Sequence, residues 1–566
     1  MTSHVAGCDG PPSTERGFRE AGYHPVANAT IPLACGTPQA RGLDAPACIE
    51  DAGPVTRRPP AVRQVSATRS AARDAALRRF PGSACRSIRR LAVVVAAAVA
   101  AAVVVAPVAA ALLSIGGCGD VGSRTADPAS LPVEYEFVAS AAVATDDPLR
   151  ATTEVTNLVE FAGELWASTS QWMAPAPVGG AILRRGAGQD AWTVALQSDQ
   201  LRLMGLAAFS VPGTSGRDEV LLAQVQPPGT AHEIRWSVAP DRALASRFEL
   251  PDPASTVRSF GALVPGDGTA MFFAGVQPTG ILAGDWDPVE RTIRWSPEPE
   301  LVVGGTGLDQ KVTGFASCGG AIWATVRGTL YRRRADGGKD PTTGGPWQPV
   351  WSVAVVNPDN SGLRGVSCIR QDDVPAILLG VEGSGEIVRF DAVDRLGPVV
   401  ATTPLVATPE LDTRALIDRT LRAWGHAIPA AGPGSVGYTI PAYNEFDEIG
   451  NGVIVAGVEW SYDAGACPST RRCQPERTFD AQACLLRRTL GAGAPNWQLR
   501  CLAVPDASPD PIPDPVPSGA AIVAVRSIRI APWNPGELWL AGYDSNFVPA
   551  IGTGWTATLP LAAVRR

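Results

Sequence analysis

The chain has 566 residues, of which 45% are hydrophobic and 18% charged, enough apolar material for several domains or for one large all-β domain with additions. Its 59 Gly and 51 Pro favour many turns and short strands over long helices. Charge is uneven: residues 1–118 carry a balance of +6 and the remainder −13, and so acidic a body argues against phosphate-backbone binding, which needs clustered Lys and Arg.

Residues 1–90 show no periodic apolar pattern and are set aside as a disordered extension or the product of a start codon placed too far upstream. A disordered cytoplasmic tail on a type II membrane protein is the alternative. Ten Arg fall between Arg57 and Arg90. An uncharged run, Leu91 to Ile115, follows and is long enough to span a bilayer. Arg86, Arg89 and Arg90 precede it, as the positive-inside rule requires. The run ends in Ile115-Gly116-Gly117-Cys118, which resembles the lipobox of bacterial lipoproteins. That resemblance implies cleavage before Cys118 and a lipid on its thiol, with 91–117 as the signal or transmembrane segment. The alternative is an uncleaved anchor. Residues 118–132 read as a tether.

From residue 133 onward the chain repeats. One apolar set reads VTNLVEF (from Val155), LMGLAAF (Leu203), VRSFGAL (Val257), VTGFASC (Val312), LRGVSCI (Leu363), VGYTIPA (Val436) and VRSIRIA (Val525). A second follows each after a turn: LWASTS (Leu165), LLAQVQ (Leu221), FFAGVQ (Phe272), IWATVR (Ile322), ILLGVE (Ile377), IVAGVE (Ile454) and WLAGYD (Trp539). A third is clear at Ala181, Thr329, Glu386 and Cys484, with a Trp usually following. These are strand-length segments recurring at a spacing of about 50 residues, and they predict an all-β, seven-bladed β-propeller of four-stranded blades over 133–566. A pair of β-sandwiches is the competing fold. The last copy, Ser527 to Asp544, resembles a blade of the sialidase and sortilin-like propellers, although the Asp-box motif often found in those families is missing. Val133 to Ser140 forms a spare strand, expected to pair into the last blade and close the ring.

Two insertions interrupt the period, at about 409–434 and 460–520. In the first, Leu411, Leu416, Ile417, Leu421 and Trp424 mark one face of a helix packed on the core. The second holds a Cys pair and a Pro-rich surface loop. Cys318, Cys368, Cys467, Cys473, Cys484 and Cys501 form an even set in a chain expected to be exported, so disulfides are expected. The favoured pairs are Cys484 with Cys501, Cys467 with Cys473, and Cys318 with Cys368. A metal site is disfavoured because C-x-x-C is absent and only His232 and His426 remain in the body.

The second apolar set ends at comparable polar residues: Ser170, Gln226, Gln277, Arg327, Glu382, Glu459 and Asp544. In a propeller these strand ends would meet beside the channel, with three carboxylates on consecutive blades next to Arg327. Such a cluster suits a weakly held Ca²⁺, sugar hydroxyls or a cationic peptide group, or an acid–base pair for glycoside cleavage. Polar strand ends that simply meet water are the plainer reading. No nucleophile elbow, zinc-protease motif, P-loop or dinucleotide fingerprint is present. The sequence therefore points to a monomeric, lipid-anchored envelope protein, periplasmic or surface-exposed. It would be a binding or scaffold module for a protein, peptide or glycan and not for nucleic acid. A glycosidase or lyase is the alternative.

Overall fold

The computed structural model describes residues 130–566 apart from 142–147, 172–178, 254, 266–268, 304–310, 335–336, 356–360, 396–404, 433–434, 464–476, 480–482, 491–494, 504–521 and 546–551. The lipobox, the apolar run before it, and Cys467 and Cys473 lie outside the described residues. Among those described, no helix is long and apolar enough to cross a membrane.

Strands form where β-branched and aromatic residues cluster between Gly- and Asp-containing turns. The first quartet comprises Glu154–Phe161, Glu164–Ser170, Gly180–Arg185 and Thr193–Ser198, joined in antiparallel order. A second runs from Leu206–Gly213 through Gly216–Val225 and Glu233–Val238 to Ser246–Glu249. The third is built on Thr256–Leu263 and Met271–Gln277, the fourth on Val312–Cys318 and Ala321–Val326, the fifth on Gly362–Gln371 and Val374–Glu382. Val436–Pro441 and Val453–Asp463 open the sixth, and Ala524–Ala531 and Asn534–Tyr543 the seventh. One copy of the first apolar set is displaced: its strand begins at Leu206, not Leu203, while Gly205 still accepts from the Gln224 amide.

Second strands are buried along their apolar stretches; every residue of Ala321–Val326 is buried. Each is packed on both faces by the sheets on either side, which is why it reads as a continuous apolar run and not as an alternating one. Fourth strands such as Thr193–Ser198 are largely exposed. First strands of successive quartets touch from the first to the sixth, the second strand of the sixth touches Ala524–Ala531, and that strand touches Glu154–Phe161, so the cycle returns to its start. A separate apolar cluster fills each seam. Trp236 and Val220 pack with Phe272 and Val257, and Phe273 packs with Trp347 and Val312. Trp539 and Ala541 pack with Val155 and Leu165 across the closing seam.

Hydroxyls stitch the same cycle. Thr156 Oγ1 donates to Leu203 O (2.6 Å), Ser259 Oγ to Val312 O (2.9 Å), and Thr313 Oγ1 to Leu363 O (2.7 Å). The Leu158 amide donates to Ser527 Oγ (3.0 Å) across the join between seventh and first quartets.

The chain closes on itself as the sequence suggests. Glu134–Phe137 pairs antiparallel with the segment from Trp555 to Thr558, supplying the fourth strand of the last quartet. Leu131 and Pro132 pair in parallel with Leu502 and Ala503 of the sixth. Helix α1 (Thr413–Ala423) is capped by Asp412, whose side chain accepts from the Ala415 amide. Its Leu416, Ile417 and Leu421 pack against Trp497 and Leu499. A short C-terminal helix, α2 (Leu561–Arg565), buries Leu561 and Val564.

Cys318–Cys368 joins the fourth and fifth quartets, and Cys484–Cys501 bridges one hairpin of the sixth. The first of these closes a loop of 50 residues between neighbouring sheets. By the chain-entropy relation it contributes about 4 kcal/mol by restricting the unfolded chain. Urea melts of Cys318→Ala should therefore show a loss of this order. A loss no larger than that of an ordinary buried methyl group would mean that the seam holds without the bridge.

Candidate functional site at the centre of the ring

A recurrent irregularity aims side chains into the ring. In the first strands, pairing with the second strand skips one residue at Thr156, Arg258, Thr313 and Arg526. A similar shift falls between Arg364 and Ser367. Such a bulge leaves a residue unpaired and re-aims its side chain. The third, fifth and seventh quartets thus turn Arg258, Arg364 and Arg526 toward one another, close enough to sense each other's charge.

Two of these guanidiniums are neutralised. Arg526 pairs with Glu154, whose side chain is wholly buried. Arg202, from the link between first and second quartets, reaches the other oxygen of the same carboxylate (3.2 Å). Arg364 Nε donates to Glu382 Oε2 (2.6 Å), and Tyr438 donates its hydroxyl to Glu382 Oε1. Glu459 accepts from Tyr543 (2.8 Å) and Ser545 (2.7 Å).

A loop from the sixth quartet crosses the middle of this network. Tyr443 lies with its ring 4.0 Å from the Arg526 guanidinium carbon and 5.2 Å from that of Arg364. Asn444 Nδ2 donates to Thr156 O (2.7 Å) and Asn157 Oδ1 (3.2 Å) in the first quartet. The Phe446 amide donates to Ser367 Oγ (2.8 Å) in the fifth. The loop runs against Gly365, which has φ +53° and where a Cβ would stand 2.2 Å from the Ala442 carbonyl oxygen. Only glycine meets both demands.

Of the residues chosen from sequence, Glu382 and Glu459 are buried together near the ring centre, and Asp544 is buried too. Gln277 is there too, accepting from Arg258 (3.2 Å). Gln226 borders a cavity between the second and third quartets. Ser170 is spent on strand pairing with Glu154. Arg327 occupies the turn after Ala321–Val326, at φ +52°, and the cation on Glu382 is Arg364 instead. The polar strand ends are therefore not a solvated fringe: those of the last three quartets are interior. Among the described residues, no group of three or more His, Cys, Asp or Glu side chains is placed to hold a metal ion.

Sequence reasoning missed Arg258, Arg364, Arg526, Glu154 and Tyr443. A signal was present. Val257-Arg258-Ser259, Leu363-Arg364-Gly365 and Val525-Arg526-Ser527 place an Arg at the same point of alternate repeats.

Burial pushes the Glu382 carboxyl up, but the charge and hydrogen bond of Arg364, with the Tyr438 hydroxyl, outweigh it and hold the group below its usual range. Burial dominates at Glu459 and raises it, against the hydrogen bonds from Ser545 and Tyr543. Burial also keeps Tyr438 and Tyr543 well above the usual phenol value, so both remain donors.

A closed cycle of mainly antiparallel sheets, joined by apolar seams and sealed by the pairing of Glu134–Phe137 with Trp555–Thr558, defines a β-propeller. No family model and no curated protein matches the sequence. Solved structures with similar shape include BBS1N in complex with ARL6DN (10% identity, 76% of this chain and 96% of that one, TM-score 0.34). Others are a mutant of AofleA from Arthrobotrys oligospora (9% identity, 66% and 91%, TM-score 0.31) and the Hadza microbial sialidase Hz136 (11%, 55% and 63%, TM-score 0.29). At this level of similarity the reading of the chain rests on its own sheets and side chains.

The two glutamates should respond oppositely to neutralisation. Glu382→Gln leaves Arg364 buried without a counter-charge and should cost about 3–5 kcal/mol in denaturant melts at pH 7. Glu459 has a folded-state value above its usual 4.5, so the folded chain holds the proton more tightly, and stability falls as pH rises from 4.5 through the folded value. Glu459→Gln should remove that decline and leave stability at pH 7 equal or higher. Equal losses in the two variants would contradict the assignment.

Proposed function

We propose that the protein is a seven-bladed β-propeller, lipid-anchored at Cys118 in the cell envelope, that acts as a binding module for a protein, peptide or glycan. Reading the eight-stranded sheet as two blades joined at the Glu154–Tyr543 pair supports seven. The observation that carries the binding reading is the state of the channel carboxylates. Glu154, Glu382 and Glu459 are buried, and each has both oxygens engaged by Arg, Tyr or Ser.

One observation favours hydrolysis instead: Glu382 and Glu459 feel each other's charge and are displaced in opposite directions, the pattern expected of an acid–base pair. Against it, an acid–base pair must reach its substrate, and these side chains are buried with their oxygens taken.

The test uses the full chain purified in detergent. Envelope glycans and peptides are screened by thermal shift, and chromogenic glycosides are assayed alongside. The reading predicts a raised melting temperature with at least one ligand and no glycoside turnover. Turnover abolished by Glu459→Gln would establish the hydrolase instead. Fatty-acid labelling in a bacterial host, expected for the wild type and lost in Cys118→Ala, tests the anchor.

A further inference from the structure

One guanidinium at the ring centre has no counter-charge. Arg258 donates to the neutral Gln277 (3.2 Å), and among the described residues no carboxylate pairs with it. Its neighbours Arg202 and Arg526 share Glu154, and Arg364 pairs with Glu382. Burial and repulsion by these three charges push its pKa down to about 9. An uncompensated cation in a half-buried position is costly to keep. Proteins break such local rules mainly where function requires it.

Arg258 also borders open space. A cavity of about 330 Å³ lies between the second and third quartets, lined by Arg202, Arg258, Gln200, Gln226, Met204 and Val257. That volume is in the range of small-ligand pockets. Gln200 is oriented by Gln224, whose Nε2 donates to its carbonyl (2.7 Å) and leaves its NH₂ group as a donor. Asp199 borders the cavity too, and its carboxylate accepts from the Gly229 amide (3.1 Å). Burial lowers His232, also on the wall, so it adds no charge near neutral pH.

We propose that this cavity binds an oxyanion group, as a carboxylate, phosphate or sulfate, of a small organic ligand, with Arg258 as its principal donor and Gln200 and Gln226 contacting the remainder. A guanidinium offers a planar fork of N–H donors that matches such groups. Met204 and Val257 supply an apolar wall for the carbon skeleton. The proposal rests on the reading of the protein as a binding module and supplies the chemistry of what is bound.

The experiment is a thermal-shift titration of the full chain in detergent with inorganic phosphate, sulfate and acetate, each against chloride at equal ionic strength. At least one oxyanion should raise the melting temperature in a saturating manner, and the responding arm identifies the acidic group. Arg258→Gln should abolish that rise. In chloride alone it should melt at or above the wild-type temperature, because a repulsive charge has gone. Arg258→Lys, which keeps the charge and loses the fork, should retain a reduced response and serves if the first variant fails to fold. A rise that survives Arg258→Gln, or a wild type indifferent to all three oxyanions, overturns the proposal. Neither outcome depends on glycoside turnover, which bears on the preceding reading alone.

Discussion

Glu154 is the point on which the ring depends. Its main chain pairs with Ser170 on one side and Tyr543 on the other, so it sits where the end of the chain meets its beginning. Its carboxylate, with no solvent exposure, binds Arg526 from the last quartet and Arg202 from the link to the second. A buried charge of this kind is tolerable only while its partners stay in place, and removal of any one strands the others. Arg526 in turn lies on the Tyr443 ring, and Tyr443 spans to Arg364 and hence to Glu382. One connected set of charges and rings therefore ties the first, fifth, sixth and seventh quartets.

This arrangement divides the labour. Apolar seams between sheets supply most of the burial, as the wholly inaccessible Trp166, Trp323, Trp347 and Trp555 illustrate. The polar centre fixes the relative placement of sheets that do not touch as neighbours, as Asn444 does in reaching from the sixth quartet to Thr156 in the first. Arg258, which among the described residues has no carboxylate partner, lines the cavity between the second and third quartets.

Much of the architecture was legible in the sequence. The second apolar sets, such as those beginning at Phe272, Ile322 and Ile454, lie within strands that start within a residue of them, because a strand packed on both faces must be apolar throughout. The Leu416, Ile417, Leu421 stripe marked the helix. The spare strand and the Cys318–Cys368 bridge followed from repeat position. The site was half legible. Glu382 and Glu459 were found because strand ends converge, but their partners were not. A bulge shifts side-chain direction by one residue, and alternation alone does not reveal it. Tyr443 lies on a loop, and only the approach of that loop to Gly365 carries it across the ring.

The account's central claim is that the ring centre is structural and that recognition is left to the cavity beside Arg258. Anomalous diffraction from crystals of the protein soaked in selenate, a heavy oxyanion, tests this most directly. The account predicts a selenium peak within hydrogen-bonding distance of the Arg258 guanidinium, with Tyr443 still lying on Arg526. A peak on the ring axis with Tyr443 displaced, or peaks at exposed surface arginines alone, would contradict it.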